Sequence, residues 1–146
     1  DTPYIAGDTF TAADVYVGAQ VGWGLQFGSI PPHRTDCGAF LLAENIGARS
    51  LIYLKDEKGL FDKDPKKVKE TTHKDLKFFD RISAGELIEM DLDDLIIERP
   101  ILALLQRAKC LKELQIIDAL HHPKHILEAL EGQNVGTTIY KDDSLT

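Results

Sequence analysis

The sequence predicts an α/β fold, because helical patterns with one apolar face alternate with short apolar runs typical of buried strands. Two capping patterns, beginning at Thr11 and at Ser83, mark helix starts. The helical periodicity stops at glycines, as at Gly47 and Gly132, which is typical of helix ends. The 146 residues, 43% of them hydrophobic, suffice for one compact domain.

The first half of the chain contains two predicted helices and one strand. Thr11, with Asp14 three residues later, starts a helix that continues toward Trp23. After two prolines, Thr35 starts a second helix, which ends at Gly47, and residues 50–54 form a short buried strand.

The second half continues the alternation. Ser83 and Glu86 form a capping box, and Leu87, Ile88 and Met90 are predicted to lie on the buried side of that helix. The remaining predicted elements are a strand at 76–82, a helix at 95–111, a strand at 114–117, a helix from Pro123 to Gly132 and a strand at 135–140.

Charge and composition exclude several classes of partner. The net charge of −7 argues against binding nucleic acid through general electrostatics. No apolar run approaches the roughly 18 residues that span a bilayer, so no membrane partner is expected. Cys37 and Cys110 stand far apart, which favours reduced thiols in a cytoplasmic protein. The chain opens without Met, so we expect a processed product, a fragment or an excerpt.

Two loops are candidate phosphate-ligand sites, because each puts backbone amides and short polar side chains at a helix or strand end. The first loop leads into Thr35 and Asp36. The second follows the 50–54 strand, and its candidate residues are Lys55, Asp56, Gly59, Phe61, Asp64 and Pro65. The alternatives are a carboxylate that complements a helix dipole at Asp36 and a plain surface loop at 55–65.

Histidines suggest a second kind of chemistry. His33 offers an imidazole ligand to an oxometalate, and the neighbouring Arg34 offers a fixed positive charge. The alternative is that His33 is an exposed histidine in a turn. His121, His122 and His125 invite a metal site, but no carboxylate is recognised at ligand spacing, which favours a solvated loop.

From Ile30 to its end the chain resembles the C-terminal, nucleotide-binding half of the amino-acid kinase family. The resemblance rests on Thr35-Asp36, on the loop from Lys55 to Lys67, which is similar to that family's adenine-nucleotide loop, and on the Gly-x-x-Val-Gly-Thr-x-Ile pattern at 132–139. It implies a three-layer sandwich, with residues 30–146 as the nucleotide-binding part. It also implies that ATP and magnesium bind at the candidate residues of the two loops.

The segments 30–36 and 40–44 resemble the metal-storage branch of that family most closely. This resemblance implies an ATP-binding subunit of a hetero-oligomeric cage, partnered by a homologous subunit, that accumulates molybdenum or tungsten oxide clusters from molybdate or tungstate. It implies His33 as a metal contact and ATP hydrolysis coupled to storage. The alternative within the family is a kinase for a nucleoside monophosphate, of the uridylate type.

Two departures from the family pattern matter. Phe61 stands where the family usually has Tyr, and the family's N-terminal Lys-x-Gly-Gly segment and Gly-rich phosphate loop have no counterpart, so the kinase site is incomplete. Residues 1–29 instead resemble a helical segment from the C-terminal domain of bacterial glutathione S-transferases, through the motifs at 10–16 and 22–27. That resemblance adds an extra N-terminal helix and a third functional alternative, a binding or interaction module.

Overall fold

A computed structural model describes residues 35–48, 50–68 and 76–142. The helices are α1 (Thr35–Asn45), α2 (Ala84–Met90), α3 (Pro100–Arg107) and α4 (His125–Leu130), with a short 3-10 helix at Pro65–Lys67. The strands are β1 (Ile52–Lys55), β2 (Leu60–Phe61), β3 (Phe78–Phe79), β4 (Arg81–Ser83), β5 (Glu113–Asp118) and β6 (Thr137–Tyr140). No helix among the described residues is long and apolar enough to cross a membrane.

Four strands form a mixed sheet in the order β1-β5-β6-β4. β1 runs parallel to β5, with Lys55 opposite Asp118 at the last register position. β6 runs antiparallel to β5 and parallel to β4, while β2 and β3 form a separate antiparallel pair. The carboxyl ends of β1 and β5 therefore meet at one edge of the sheet, the usual position of ligand sites in α/β folds.

The core lies between this sheet and the helices. α2 and α1 each contact α3, and α4 contacts β5. Fully buried side chains come from α1, α2, α3, β2, β5 and β6, and they include Phe40, Leu60, Leu87, Ile101, Leu105, Leu114, Ile116 and Ile139. Consecutive residues of the central strands β5 and β6 are buried, because such strands are covered on both faces.

Local signals predicted the starts of two helices correctly. Ser83 Oγ accepts a hydrogen bond from the Glu86 amide at 3.0 Å, and Glu86 Oε2 accepts from the Ser83 amide at 3.0 Å. α1 begins at Thr35, and Gly47 has the positive φ of 65° that favours glycine after a helix end. Of the three residues predicted on the buried side of α2, Leu87 is fully buried as expected, but Ile88 and Met90 are 46% and 44% exposed, so their assignment was wrong.

The strand expected at 76–82 is two strands in different sheets. The chain bends at Asp80, so that β3 pairs with β2 while β4 pairs with β6. The period-2 pattern contains no information about partners, and for this reason it could not reveal the change.

Two predicted helices are shorter than expected. The helix expected at 95–111 covers only Pro100–Arg107, since proline suits a first helical position and Ala108 already has an extended ψ of 143°. The helix expected from Pro123 begins at His125, because the turn at Pro123 is closed by tight i to i+3 hydrogen bonds.

Glu44 connects α1 by hydrogen bonds to the segment that precedes β5. Its carboxylate accepts hydrogen bonds from three successive backbone amides, those of Lys109 at 2.5 Å, Cys110 at 2.9 Å and Leu111 at 2.9 Å. One side chain thus supplies hydrogen-bond acceptors to three successive amides of this turn.

Asp142 accepts hydrogen bonds in a similar way at the start of α2. Its carboxylate accepts from the Gly85 amide at 2.7 Å and from the side chain of Gln106. A hydrogen bond from Ser83 is the main reason that the pKa of Asp142 lies below its ordinary value of 3.8, and burial opposes the shift.

Candidate functional site

The carboxyl end of β1 meets the first turn of α1 in an ion pair. Lys55 Nζ lies 2.8 Å from Asp36 Oδ2 and 3.0 Å from Oδ1. The two side chains are only 23% and 18% exposed, so the pair is shielded from bulk water. The structure therefore joins two candidate residues that are 19 positions apart in the sequence.

The backbone of Asp36 is held by two further side chains that sequence reasoning missed. The Tyr53 hydroxyl donates to the Asp36 carbonyl at 2.8 Å, and Glu98 Oε1 accepts from the Asp36 amide at 2.9 Å. Burial, followed by the charge of Asp36, raises the pKa of Tyr53 strongly, so its hydroxyl stays protonated as a donor. No local pattern signals Glu98, which lies 62 positions from Asp36.

A cleft beside this pair gathers five of the other candidate residues. It has a volume of about 170 Å³ and is lined by the candidates Asp56, Gly59, Phe61, Asp64 and Pro65. Its opposite wall is the segment 94–96, which sequence reasoning did not assign to the site. The cleft thus combines carboxylates with apolar surface, the mixture that suits a ligand with polar and aromatic parts.

The two acidic candidates in the cleft already have partners. Asp56 Oδ2 lies 2.7 Å from Lys66 Nζ, whose hydrogen bond lowers the pKa of Asp56. Asp64 Oδ1 accepts from the Lys66 amide at 2.9 Å and caps the 3-10 helix. Lys66 and Lys67 are 57% and 63% exposed at their side chains, so both ammonium groups lie at the solvent-facing side of the loop.

Gly59 and Phe61 shape the loop between β1 and the cleft. A Cβ on Gly59 would lie 2.4 Å from the hydroxyl oxygen of Thr137, so no larger residue fits without a shift of the chain. The Phe61 ring packs on Phe78 with 5.2 Å between ring centroids. An apolar ring therefore forms part of the cleft where a phenol would add a hydroxyl.

The three histidines lie beyond the end of β5, next to a carboxylate that the sequence analysis did not recognise. His121 Nδ1 lies 3.1 Å from both oxygens of Asp118, and the His121 amide donates to Asp118 at 2.9 Å. The His122 and His125 rings lie 4.9 Å apart. Within the described ranges, no three His, Cys, Asp or Glu side chains are grouped to hold a metal ion.

The candidate residues therefore fall into two neighbouring groups. Asp36 and Lys55 form the ion pair at the start of α1, where Thr35 is the first helical residue, and the other five surround the cleft. Their role in binding remains a prediction. His33, Arg34 and the whole segment 1–29 lie outside the described residues, as does the proposed boundary after residue 29.

Together these features define a class of protein: a mixed α/β sheet with a polar and apolar cleft at the carboxyl end of its parallel strands. A sequence profile of the group described as the amino acid kinase family matches residues 14–111. The chain belongs to the amino acid kinase family.

Two relatives represent the two branches of interest. The chain is 46% identical over 112 residues to the molybdenum storage protein subunit beta of Azotobacter vinelandii. The aligned region covers 77% of this chain and 39% of that protein. It is 36% identical over 118 residues to the uridylate kinase of Methanococcus aeolicus, with 77% and 49% coverage. The chain thus spans from about two fifths to one half of the length of these relatives.

Solved structures confirm the fold class. The UMP kinase from Bacillus anthracis superposes with a TM-score of 0.61 at 20% identity, over 76% of this chain and 42% of that one. The uridylate kinase from Archaeoglobus fulgidus gives a TM-score of 0.56 at 28% identity, over 71% and 45%. The predicted amino-acid-kinase-like α/β fold is therefore correct.

Proposed function

We propose that this chain is part of a subunit that stores molybdenum or tungsten as oxide clusters in a hetero-oligomeric cage and binds ATP to do so. The observation that carries the proposal is the 46% identity to the molybdenum storage protein subunit beta over 77% of the chain. That identity exceeds the 36% or less found with the uridylate kinases that match a similar length. Storage and nucleotide binding are separate parts of the proposal and need separate tests.

The nucleotide is proposed to bind across the ion pair and the cleft. Lys55 lies at the carboxyl edge of the sheet and can place its ammonium against a phosphate, sharing it with Asp36. Phe61 and Pro65 offer apolar surface to the base and ribose. Because Phe61 lacks a hydroxyl, binding there depends on stacking and shape more than on an additional hydrogen bond.

Magnesium is proposed to arrive with the phosphates. The described residues contain no preformed group of three acidic or imidazole ligands. Asp36 and Asp56 fit a site of the usual Mg²⁺ kind, in which one or two carboxylates join phosphate oxygens and water. The ion would neutralise phosphate charge, while Lys55 and Asp36 orient the polyphosphate.

The oxide cluster is the proposed cargo, and His33 and Arg34 are its proposed contacts. An imidazole can ligate a metal, and a neighbouring guanidinium balances the negative charge of an oxoanion. Both residues immediately precede α1, whose first turn contains Asp36. Cargo and nucleotide would thus be connected through a few residues of backbone.

An exposed apolar surface supports the proposal of a partner subunit. Leu120, Leu127 and Leu130 are 69%, 62% and 67% exposed, on α4 and the segment before it. Leu127 and Leu130 lie one turn apart on α4, and neighbouring exposed apolar side chains are typical of surfaces that another chain covers.

The first test measures metal loading. The protein is incubated with molybdate or tungstate, with and without Mg-ATP, desalted and analysed for metal. We expect many metal atoms per chain only with ATP. His33→Ala should lower loading and leave ATP affinity unchanged, and Lys124→Ala, at a side chain that is 73% exposed, serves as the control. Failure to load under any condition would contradict the storage proposal.

The second test measures ATP binding. Lys55→Met should weaken Mg-ATP at least about tenfold, because a charge-assisted contact to phosphate is worth about 1.5–3 kcal/mol. The control is Lys112→Met, an exposed lysine immediately before β5, at the opposite end of that strand. Equal affinities of the two variants would contradict the assigned phosphate contact.

A uridylate-type kinase is the second candidate, favoured by the uridylate kinase relatives and by the UMP kinase superposition. It predicts transfer of phosphate from ATP to UMP by the complete protein, which storage does not require. UMP-dependent ADP release without metal loading would replace the storage proposal by this one.

A further inference from the structure

Two side chains hold the backbone of Asp36 by hydrogen bonds. Glu98 Oε1 accepts from the Asp36 amide at 2.9 Å, and the Tyr53 hydroxyl donates to the Asp36 carbonyl at 2.8 Å. The side chain then accepts both contacts from Lys55. The position of the ion pair therefore depends on where these two side chains hold the start of α1.

Glu98 acts at a particular point of α1. The first amides of a helix lack partners inside the helix, and the helix dipole favours negative charge there. Helix N-termini often bind an external phosphate for this reason. In this chain the Glu98 carboxylate already bonds the second amide of α1, from a segment 62 positions away. An internal anion thus occupies a position that a ligand could otherwise take.

The segment that contains Glu98 is well packed, because its neighbours are buried. Ile97, immediately before it, is 3% exposed, and Ile101, in the first turn of α3, is fully buried. The Glu98 carbonyl also accepts from the Ile101 amide at 3.0 Å. The carboxylate therefore projects from a packed segment, and it can fix α1 relative to α3 at this point.

Glu98 is not an optimal residue for stability alone. Its second oxygen, Oε2, is buried and has no hydrogen-bond partner among the described residues. A buried carboxylate oxygen without a partner is unfavourable for folding. A cap retained only for stability has no need of that oxygen, which argues that the geometry given to Asp36 matters.

We propose that Glu98 is a positioning residue for the nucleotide site: by bonding the Asp36 amide, it holds Asp36 where it can orient Lys55 toward phosphate. This inference rests on the proposed nucleotide function. Glu98 acts through Asp36 and does not touch the ligand. Because the two Lys55 contacts are 2.8 and 3.0 Å long, a shift of about 1 Å at the start of α1 would break them.

Two variants of Glu98 separate the hydrogen bond from the charge. Glu98→Gln keeps an oxygen that accepts from the Asp36 amide, whereas Glu98→Ala removes it. Glu113→Ala is the matched control, since Glu113 is a carboxylate at the opposite end of β5, paired with Arg81 on the surface. We expect Glu98→Ala to raise the Kd for Mg-ATP at least tenfold, Glu98→Gln to stay within threefold, and Glu113→Ala to have no effect.

A readout without ATP keeps the inference testable if the proposed function fails. The rate at which an acylating reagent modifies Lys55, measured by mass spectrometry against Lys112 in the same chain, reports whether Lys55 is still held by Asp36. Glu98→Ala should raise that relative rate at least fivefold, and Glu98→Gln should restore it. Absence of ATP binding in the unmodified protein would remove the nucleotide proposal only. A folded Glu98→Ala variant with unchanged Lys55 labelling would overturn the positioning role.

Discussion

The hydroxyl of Thr137 connects the β2–β3 pair to the four-stranded sheet by two hydrogen bonds, and its removal should destabilise the loop and strands that form the cleft. Thr137 Oγ1 accepts from the Leu60 amide at 2.8 Å and donates to the Phe79 carbonyl at 2.6 Å. Thr137 is fully buried, Leu60 is 1% exposed and Phe79 is 5% exposed. Water therefore cannot easily replace either bond.

Thr137→Val tests this bridge because valine has nearly the same shape and no hydroxyl. The change leaves a buried amide and a buried carbonyl without this partner, at about 1–3 kcal/mol each, so we expect a loss of about 2–6 kcal/mol. For a chain of this size that lowers Tm by roughly 5–20 °C. Thr137→Ser is the control: it keeps the hydroxyl and loses one methyl group, which costs about 1 kcal/mol.

Urea unfolding of the two variants gives the comparison, and hydrogen exchange locates the effect. We expect faster exchange in Leu60–Phe61 and Phe78–Phe79 for the valine variant, with little change in β5. Since Leu60 and Phe61 line the cleft, the affinity for the proposed nucleotide should fall as well. Equal unfolding midpoints for the valine and serine variants would refute the reasoning.

Three further predictions follow from single contacts. Glu44→Ala should cost about 2–4 kcal/mol in urea unfolding, because the amides of 109–111 lose a shared carboxylate acceptor; an unchanged midpoint would contradict this. Gly136→Ala should cost about 3 kcal/mol or more, since its Cβ would lie 2.0 Å from a backbone carbonyl of β5, whereas Gly132→Ala meets no atom within 4 Å and should cost less. Asp142 has a lowered pKa, so its stabilisation is present above its ordinary pKa of 3.8 and is lost as pH falls below that value. Asp142→Asn should therefore lower the free energy of unfolding at neutral pH and flatten its decline as pH falls below 3.8, as measured by urea unfolding at a series of pH values.

Features fixed by neighbouring residues could be predicted from the sequence. The capping box at Ser83 is a contact over three positions, and the start of α1 at Thr35 follows two prolines. The fold class followed from the alternation of such elements, and the 55–65 loop was predicted as one unit of the candidate site.

Features that depend on distant partners could not be predicted. Glu98 reaches Asp36 across 62 positions, and Glu44 reaches Cys110 across 66. The burial of α2 was misjudged because seven residues make only two turns, and a short amphipathic pattern leaves the buried face poorly determined. In each case the missing information was which element packs alongside.

The strand order has a consequence for the rate of folding. β5 pairs with β1, some 60 residues earlier, and with β6, about 20 residues later, while β4 meets β6 across more than 50 residues. Pairings of this range must close long loops before they contribute stability, so the sheet should assemble slowly compared with the local α2 turn. Substitutions in β5 that weaken its pairing should therefore slow folding itself, because β5 has to find both of its neighbours before the sheet is complete.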